Sequence, residues 1–349
     1  MPSSPRDITR RDAIRLLGAG AAVSALSGRT LEALALPAAS RQPGQIIRTI
    51  LADIDPRTLT GTTLIHEHLS FSLAGNPRLK FYDDVDLISD EVKASARDGV
   101  SCIVDAGTDG LGRSISALST IASRSGVHIV ACGGLHGKGD YPQDALTKSA
   151  DQIADDLVAQ AKRERWGGIG EMGTGTAVPM DRIEQKGFEA AAKAHLRTGL
   201  PIITHVSSGC AQCALDQVDL LERAGVDLHH VVIGHLNDIR DNPSAAPIAI
   251  AKRGAYLGFD HSGKPDDPRA DEYARTILAV LDAGFGDRIC LSSDFNDEKY
   301  LRKNGGPGID MVLTTMVPRL KRAGVSDATL HGILVENPRR VLSFTPSAT

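Results

Sequence analysis

The chain has 349 residues, with 39 Lys+Arg against 43 Asp+Glu, 42% hydrophobic residues and only 4% aromatic ones. Such a balance describes a folded, soluble protein and excludes disorder, and a formal net charge of -4 excludes a dedicated nucleic-acid binder, whose phosphate contacts need a basic surface. Five cysteines are too few for a disulfide scaffold, and no apolar stretch approaches the ~20 residues that span a bilayer.

At the start of the chain, Arg10-Arg11 precedes a mildly apolar run from Leu16 to Leu26, and Ala33-Leu34-Ala35 supplies small residues at the spacing a signal peptidase reads. This resembles a twin-arginine export signal, with Ala13 where a Phe is common. The expectation is a signal peptide over 1–35, an N-terminal extension over 36–60 and one catalytic domain over 61–349. Export by the twin-arginine machinery to the periplasm or beyond follows from it. Gly18-Ala19-Gly20 imitates a dinucleotide fingerprint, but no strand precedes it.

After Gly61 one rhythm repeats: a short β-prone run ending in Gly, His or Asp, then a longer segment of helical period. The predicted strands are Leu64–His68, Cys102–Gly107, His128–Gly134, Gly168–Gly173, Pro201–Val206, His230–Leu236, Ala255–His261 and Ile289–Phe295. Helical patterns between them cover Ile115–Ser123, Ala150–Arg165, Phe188–Thr198, Cys213–Ala224, Ala245–Arg253, Tyr273–Ala283 and Met311–Ala323. Near-continuous apolar strands imply burial on both faces, as in a parallel sheet covered by helices. Eight such βα units without a domain-scale linker predict a (β/α)8 TIM barrel over an open doubly wound sheet.

The polar residues fall where a barrel keeps its chemistry, at the C-terminal ends of the strands. His66 and His68 end the first strand, Glu171 the fourth, His205 the fifth, His235 the sixth, Asp260-His261 the seventh and Asp294 the eighth. In an extended strand residues i and i+2 face the same way, so both imidazoles of His66-Glu67-His68 turn to the mouth while Glu67 turns away. Singly, each histidine reads as a satisfied strand-end residue, and Asp294 as a helix cap. Together, four histidines and two acids converging on one mouth are an unpaired titratable cluster unless a divalent cation with nitrogen preference organises them.

His66-x-His68, Gly170-Glu171, Thr204-His205, Gly234-His235, Gly258-Phe259-Asp260-His261 and Ser293-Asp294 resemble the phosphotriesterase family of the amidohydrolase superfamily, from about Gly61 to Asn337-Pro338-Arg339-Arg340. The resemblance implies a metal-dependent hydrolase with two divalent cations, zinc foremost, with manganese, cobalt or iron as alternatives. His66, His68 and Asp294 would hold the more buried cation, and His205 and His235 the more exposed one. Many members bridge the pair with a carboxylated lysine. No lysine stands in Gly168-Ile169-Gly170-Glu171-Met172-Gly173, so Glu171 is the expected bridge, as in the phosphotriesterase-related subgroup. That stretch also fits GxGxxG, discounted because it overlaps a strand.

By the same analogy a bridging hydroxide attacks an ester, lactone or phosphoester, Asp294 takes the proton, and His261 and Asp238 relay it to solvent. Helix capping by Asp238 and a structural hydrogen bond from His261 are the plainer alternatives. The lactone-hydrolysing subgroup has a tyrosine after strand three where this chain has His136, which with Phe295 is an expected substrate contact. Few aromatics argue against a wide pocket for aryl phosphotriesters, so ester or lactone hydrolysis ranks above phosphotriesterase activity proper. A non-catalytic metal-binding barrel is the alternative from another class, and a nicotinamide enzyme has no phosphate motif to support it. Cys210-Ala211-Gln212-Cys213 reads as an ordinary helix-start pair that an oxidising compartment could link. Cys102, Cys132 and Cys290 should be buried and inert. A small-molecule substrate is the expected partner, and homodimers are common in the family.

Overall fold

A computed structural model describes residues 44–73, 76–207, 209–240 and 242–347. The twin-arginine pattern lies outside the described residues. A short antiparallel ribbon, β1 (Ile47–Arg48) and β2 (Asp53–Ile54), precedes an eight-stranded sheet of parallel pairs. Its strands are β3 (Thr62–Glu67), β4 (Val100–Asp105), β5 (His128–Gly133), β6 (Gly168–Thr174), β7 (Ile202–Val206), β8 (Val231–Ile233), β9 (Tyr256–Phe259) and β10 (Ile289–Leu291), laddered in sequence order. Helices run between successive strands, so the architecture is the predicted (β/α)8 barrel. Among the described residues no helix is long and apolar enough to cross a membrane.

Strand alternation divides the apolar residues into two sets. Ile65, Cys102, Val104, Val130, Cys132, Ile203, Val232, Tyr256 and Cys290 pack together inside the barrel, and all three unpaired cysteines are buried there as expected. Ile47, Leu59, Val341 and Leu342 join the same cluster. They close the end opposite the strand C-termini: the Ile50 amide donates to Ile129 O at the start of β5, and Ile46 bridges Phe344. Gly167 permits this closure, since a Cβ there would lie 2.2 Å from Arg48 O. Leu64, Ile103, Ile129, Ile169, Ile202, Val231, Leu257 and Ile289 belong to the larger core beneath the helices.

The predicted strands hold, and the two trimmed most are shortened for a physical reason. His230–Leu236 shortens to Val231–Ile233 and Ile289–Phe295 to Ile289–Leu291. His235 and Asp294 take left-handed backbone, φ 57° and 48°, which turns the chain out of the sheet at the residue that enters the mouth. The sequence patterns above do not mark the helix Val85–Arg97, which buries Ile88 and Val92 and is capped by Asp84.

No ladder joins β10 to β3 among the described residues. Side chains close that seam. Glu67, fully buried, accepts from Ser292 Oγ (2.7 Å), Ser293 N (2.8 Å) and Phe295 N (2.8 Å). The Ser292 hydroxyl in turn accepts from His66 N at 3.0 Å, and Asp294 N donates to His66 O. The strand bearing two histidines and the segment bearing Asp294 are thereby fixed to each other.

Candidate metal centre

Glu171 sits at the centre of the mouth. Its Oε1 lies 2.6 Å from His205 Nδ1, 3.2 Å from His235 Nε2 and 3.4 Å from His66 Nε2, while Oε2 lies 3.8 Å from His68 Nε2. His68 Nε2 is also 3.2 Å from Asp294 Oδ1. All six expected ligands, from β3, β6, β7 and the turns after β8 and β10, therefore meet. The register of β6 against β7 breaks between Ile169 and Met172, which is where Glu171 leaves the regular pleat. Only His205 keeps appreciable exposure, at 24% of its side chain.

The donor set suits divalent cations. His66, His68 and Asp294 bring one ligand atom each within 4.8 Å of one another, and so do His66, Glu171 and His235. Both ring nitrogens of His66, and Nδ1 of His68, are buried without a hydrogen bond. Unpaired imidazole nitrogens facing carboxylates are what a cation with nitrogen preference satisfies.

The protonation states follow from these contacts. Burial pushes the Glu171 carboxyl up, but His66, His205 and hydrogen bonds from His205 and His235 outweigh it and hold it well below its ordinary value. Asp294 is likewise lifted by burial and brought well below its ordinary value by hydrogen bonds from His261 and His68 and by Lys264. Burial opposes charge on His68, yet Asp294, Glu171 and Asp105 raise it to about 9. His235 is raised in the same way by Asp260 and Glu171, whereas burial and the neighbouring His235 take His205 down to about 4.

The expected relay is contiguous. His261 Nε2 is 2.8 Å from Asp294 Oδ2, and its Nδ1 is 3.1 Å from Asp238 Oδ2. Asn296 Nδ2 donates to the same Asp294 oxygen at 2.9 Å. His136 reaches the centre: its ring lies 4.7 Å from that of His205, edge to face. Phe295 does not. Its side chain is fully buried against Phe81 and Tyr82, and its carbonyl accepts from Tyr82 Oη, so no surface remains for a substrate.

Three acids in and around the site escaped the sequence reading as working residues. Besides Glu67, Asp260 accepts from His235 N at 2.9 Å and pairs with His235 Nδ1 at 2.8 Å, fixing that ring. Asp105 accepts from Leu69 N and Gly107 N, holding the turn after His68. Each ends a predicted apolar run, the same signal that singled out Asp294. Cys210 and Cys213 stand at a helix start as expected, and the link left open by the sequence is made: they form a disulfide, their Cα atoms 5.2 Å apart across the first turn of the helix Ala211–Arg223. Cys210 is the residue that caps that helix, which brings the two sulfurs to one side.

The model of the phosphotriesterase family matches residues 45–342. The chain belongs to the phosphotriesterase family. Within it, phosphotriesterase homology protein from Escherichia coli (strain K12) is 34% identical over 298 residues, 80% of this chain and 97% of that protein. A crystal structure of phosphotriesterase homology protein from Escherichia coli, complexed with phosphate in the active site, matches with a TM-score of 0.75 at 33% identity, covering 83% of this chain and 100% of that one. A resiniferatoxin-binding protein from Rhodobacter sphaeroides matches at TM-score 0.76 and 32% identity, covering 86% and 95%. N-acetyltaurine hydrolase from Bos taurus is 28% identical over 348 residues, 85% of this chain and 98% of its own. The protein is accordingly a hydrolase of the phosphotriesterase family, with a His/Asp/Glu cluster able to bind metal.

Proposed function

We propose that this hydrolase holds two divalent cations, bridged by Glu171, and cleaves a small-molecule ester, lactone or phosphoester. The observation that carries the reading is the position of one carboxylate between two donor groups. Oε1 of Glu171 faces His205 and His235 on one side and His66 on the other, and Oε2 faces His68, which shares Asp294. His66, His68 and Asp294 would hold the more buried cation, and His205 and His235 the more exposed one. Zinc suits the imidazole-rich set best, and manganese, cobalt or iron are the alternatives. Two such cations supply Lewis acidity and a nucleophilic water at neutral pH.

The chain's own residues then manage the proton. Asp294, kept ionised by His261 and His68, accepts it at a carboxylate oxygen. His261 Nε2 takes it from Asp294 Oδ2, and His261 Nδ1 delivers to Asp238 Oδ2. The side chains of His261 and Asp238, 19% and 15% exposed, both reach solvent more than that of Asp294 at 7%. Asn296 keeps Oδ2 oriented throughout.

Phosphate in the active site of the Escherichia coli relative supports a phosphoester among the substrates. The name of the Bos taurus relative adds a second reading, an N-acyl amide. The Cys210–Cys213 disulfide supports export to an oxidising compartment. The deciding experiment is a hydrolysis panel of lactones, aryl esters, phosphotriesters, phosphomonoesters and N-acetyl amino acids on zinc-, manganese- and cobalt-loaded protein, with elemental analysis alongside. Two equivalents of metal and turnover that vanishes on chelation are the expected result. Metal bound without turnover on the panel leaves the non-catalytic barrel, and full turnover in the chelated, desalted protein overturns the mechanism.

A further inference from the structure

We propose that His136 is an additional ligand of the more exposed cation, so that this cation is held by His136, His205 and His235 together with Glu171. The proposal rests on the two-cation reading above and concerns a side chain from the loop after β5. His136, Glu171 and His205 each place a ligand atom within 4.8 Å of the other two, the same spacing that unites His66, His68 and Asp294. Proximity alone would fit a substrate contact equally well. The partner of the other ring nitrogen decides between the two.

A histidine that binds a metal nearly always donates its second N–H to a carboxylate or carbonyl, which fixes the tautomer and aims the free lone pair. His235 shows that pattern, with Nδ1 on Asp260 at 2.8 Å and Nε2 toward Glu171 at 3.2 Å. His136 repeats it: Nδ1 lies 2.9 Å from Asp140 Oδ2. With Nδ1–H given to Asp140, the lone pair of the ring is left on Nε2, where a cation can take it.

The loop is seated for this purpose. Gly173 N donates to Leu135 O at 3.2 Å, and Leu135 N lies 3.3 Å from Met172 Sδ, so the residue before His136 is tied to β6 just past Glu171. A Cβ at Gly173 would stand 2.2 Å from His136 O, and only glycine lets the loop lie that close. Three imidazoles and one carboxylate make a nitrogen-rich site that favours zinc or cobalt over manganese.

The test is calorimetric titration of metal-free full-length protein with zinc, paired with the visible absorption of the cobalt form. Wild type should take two cations. His136→Ala should keep the tight one and bind the second at least about 10-fold more weakly, with an altered cobalt spectrum for that equivalent. Asp140→Asn, at an exposed position, should weaken the second cation in the same direction by about 10-fold. Unchanged affinity and spectrum in both variants, beside a wild type that binds two cations, overturns the proposal and leaves the preceding reading intact. A wild type that binds fewer than two overturns that reading and this one with it.

Discussion

Glu67 does with one carboxylate what a ladder does elsewhere in the sheet. Three donors from Ser292, Ser293 and Phe295 converge on it, and burial, which lifts its carboxyl to about 8, works against the charge those donors favour. Glu67→Gln replaces one accepting oxygen with an NH2 group that faces another donor. The expected loss is about 2–3 kcal/mol of stability, read from urea denaturation, because a buried donor then lacks its acceptor. An unchanged midpoint would mean that the seam is closed by packing alone. His261 makes a separate test at this scale. It hydrogen-bonds Asp294 and Asp238, and its ring stacks on that of His235 at 4.3 Å. His261→Ala should retain both cations and lower kcat by about 100-fold, the usual worth of a positioned proton carrier. Loss of metal in that variant would instead make the histidine a support of the site.

At the scale of elements, the strand C-terminal ends were readable because barrel chemistry needs polar residues there, and an apolar run that stops at His, Glu or Asp is visible in one sequence. Supports on the helices behind those ends were not readable. Gln217 is the plainest example: it stands in the middle of the helix Ala211–Arg223 with nothing nearby in sequence to distinguish it. In the fold it is fully buried, donating to Thr174 Oγ1 (2.9 Å) and His205 O (2.7 Å) and accepting from Thr204 Oγ1 (2.6 Å). It clamps β6 to β7 beyond the register break that frees Glu171. Such long-range partners carry no local signature, and neither does the fate of Phe295, whose burial depends on aromatic residues far away in the chain. Gln217→Leu keeps the volume roughly and leaves three polar groups unpaired. We expect a loss of about 2–4 kcal/mol and a weaker exposed cation, measured by denaturation and by zinc titration. A variant that melts normally and binds zinc normally would show that the two strands hold Glu171 and His205 without help.

For the whole molecule, buried histidines of opposite sign shape stability against pH. His195 and His230 lie outside the site, and both are lowered from their ordinary value, chiefly by burial. A histidine whose folded value is depressed contributes stability that is complete above its unfolded value near 6.5 and is lost as pH falls through the folded one. His205, down to about 4, acts in the same sense. His68, up to about 9, and His235 act in the opposite sense: the metal-free fold binds their protons more tightly than the unfolded chain does. Their contribution is complete below about 6.5 and is lost as pH rises through their folded values, about 9 for His68. The metal-free protein should therefore be most stable near neutrality, with urea midpoints falling both at pH 5 and at pH 9.5. Cations act on both sides of this curve through their ligands, and the alkaline side is the one that tests His68 and His235. A metal at His68 and His235 takes the place of their protons, so binding strengthens with pH and their share of the alkaline loss should disappear on loading, leaving the share of Glu67, whose carboxyl burial raises to about 8. The acid side should remain, because His195 and His230 stay buried and neutral whatever the site contains. Urea midpoints at pH 5, 7 and 9.5, with and without zinc, check both halves, and an alkaline loss as large in the zinc-loaded protein as in the metal-free one would place the cations away from His68 and His235.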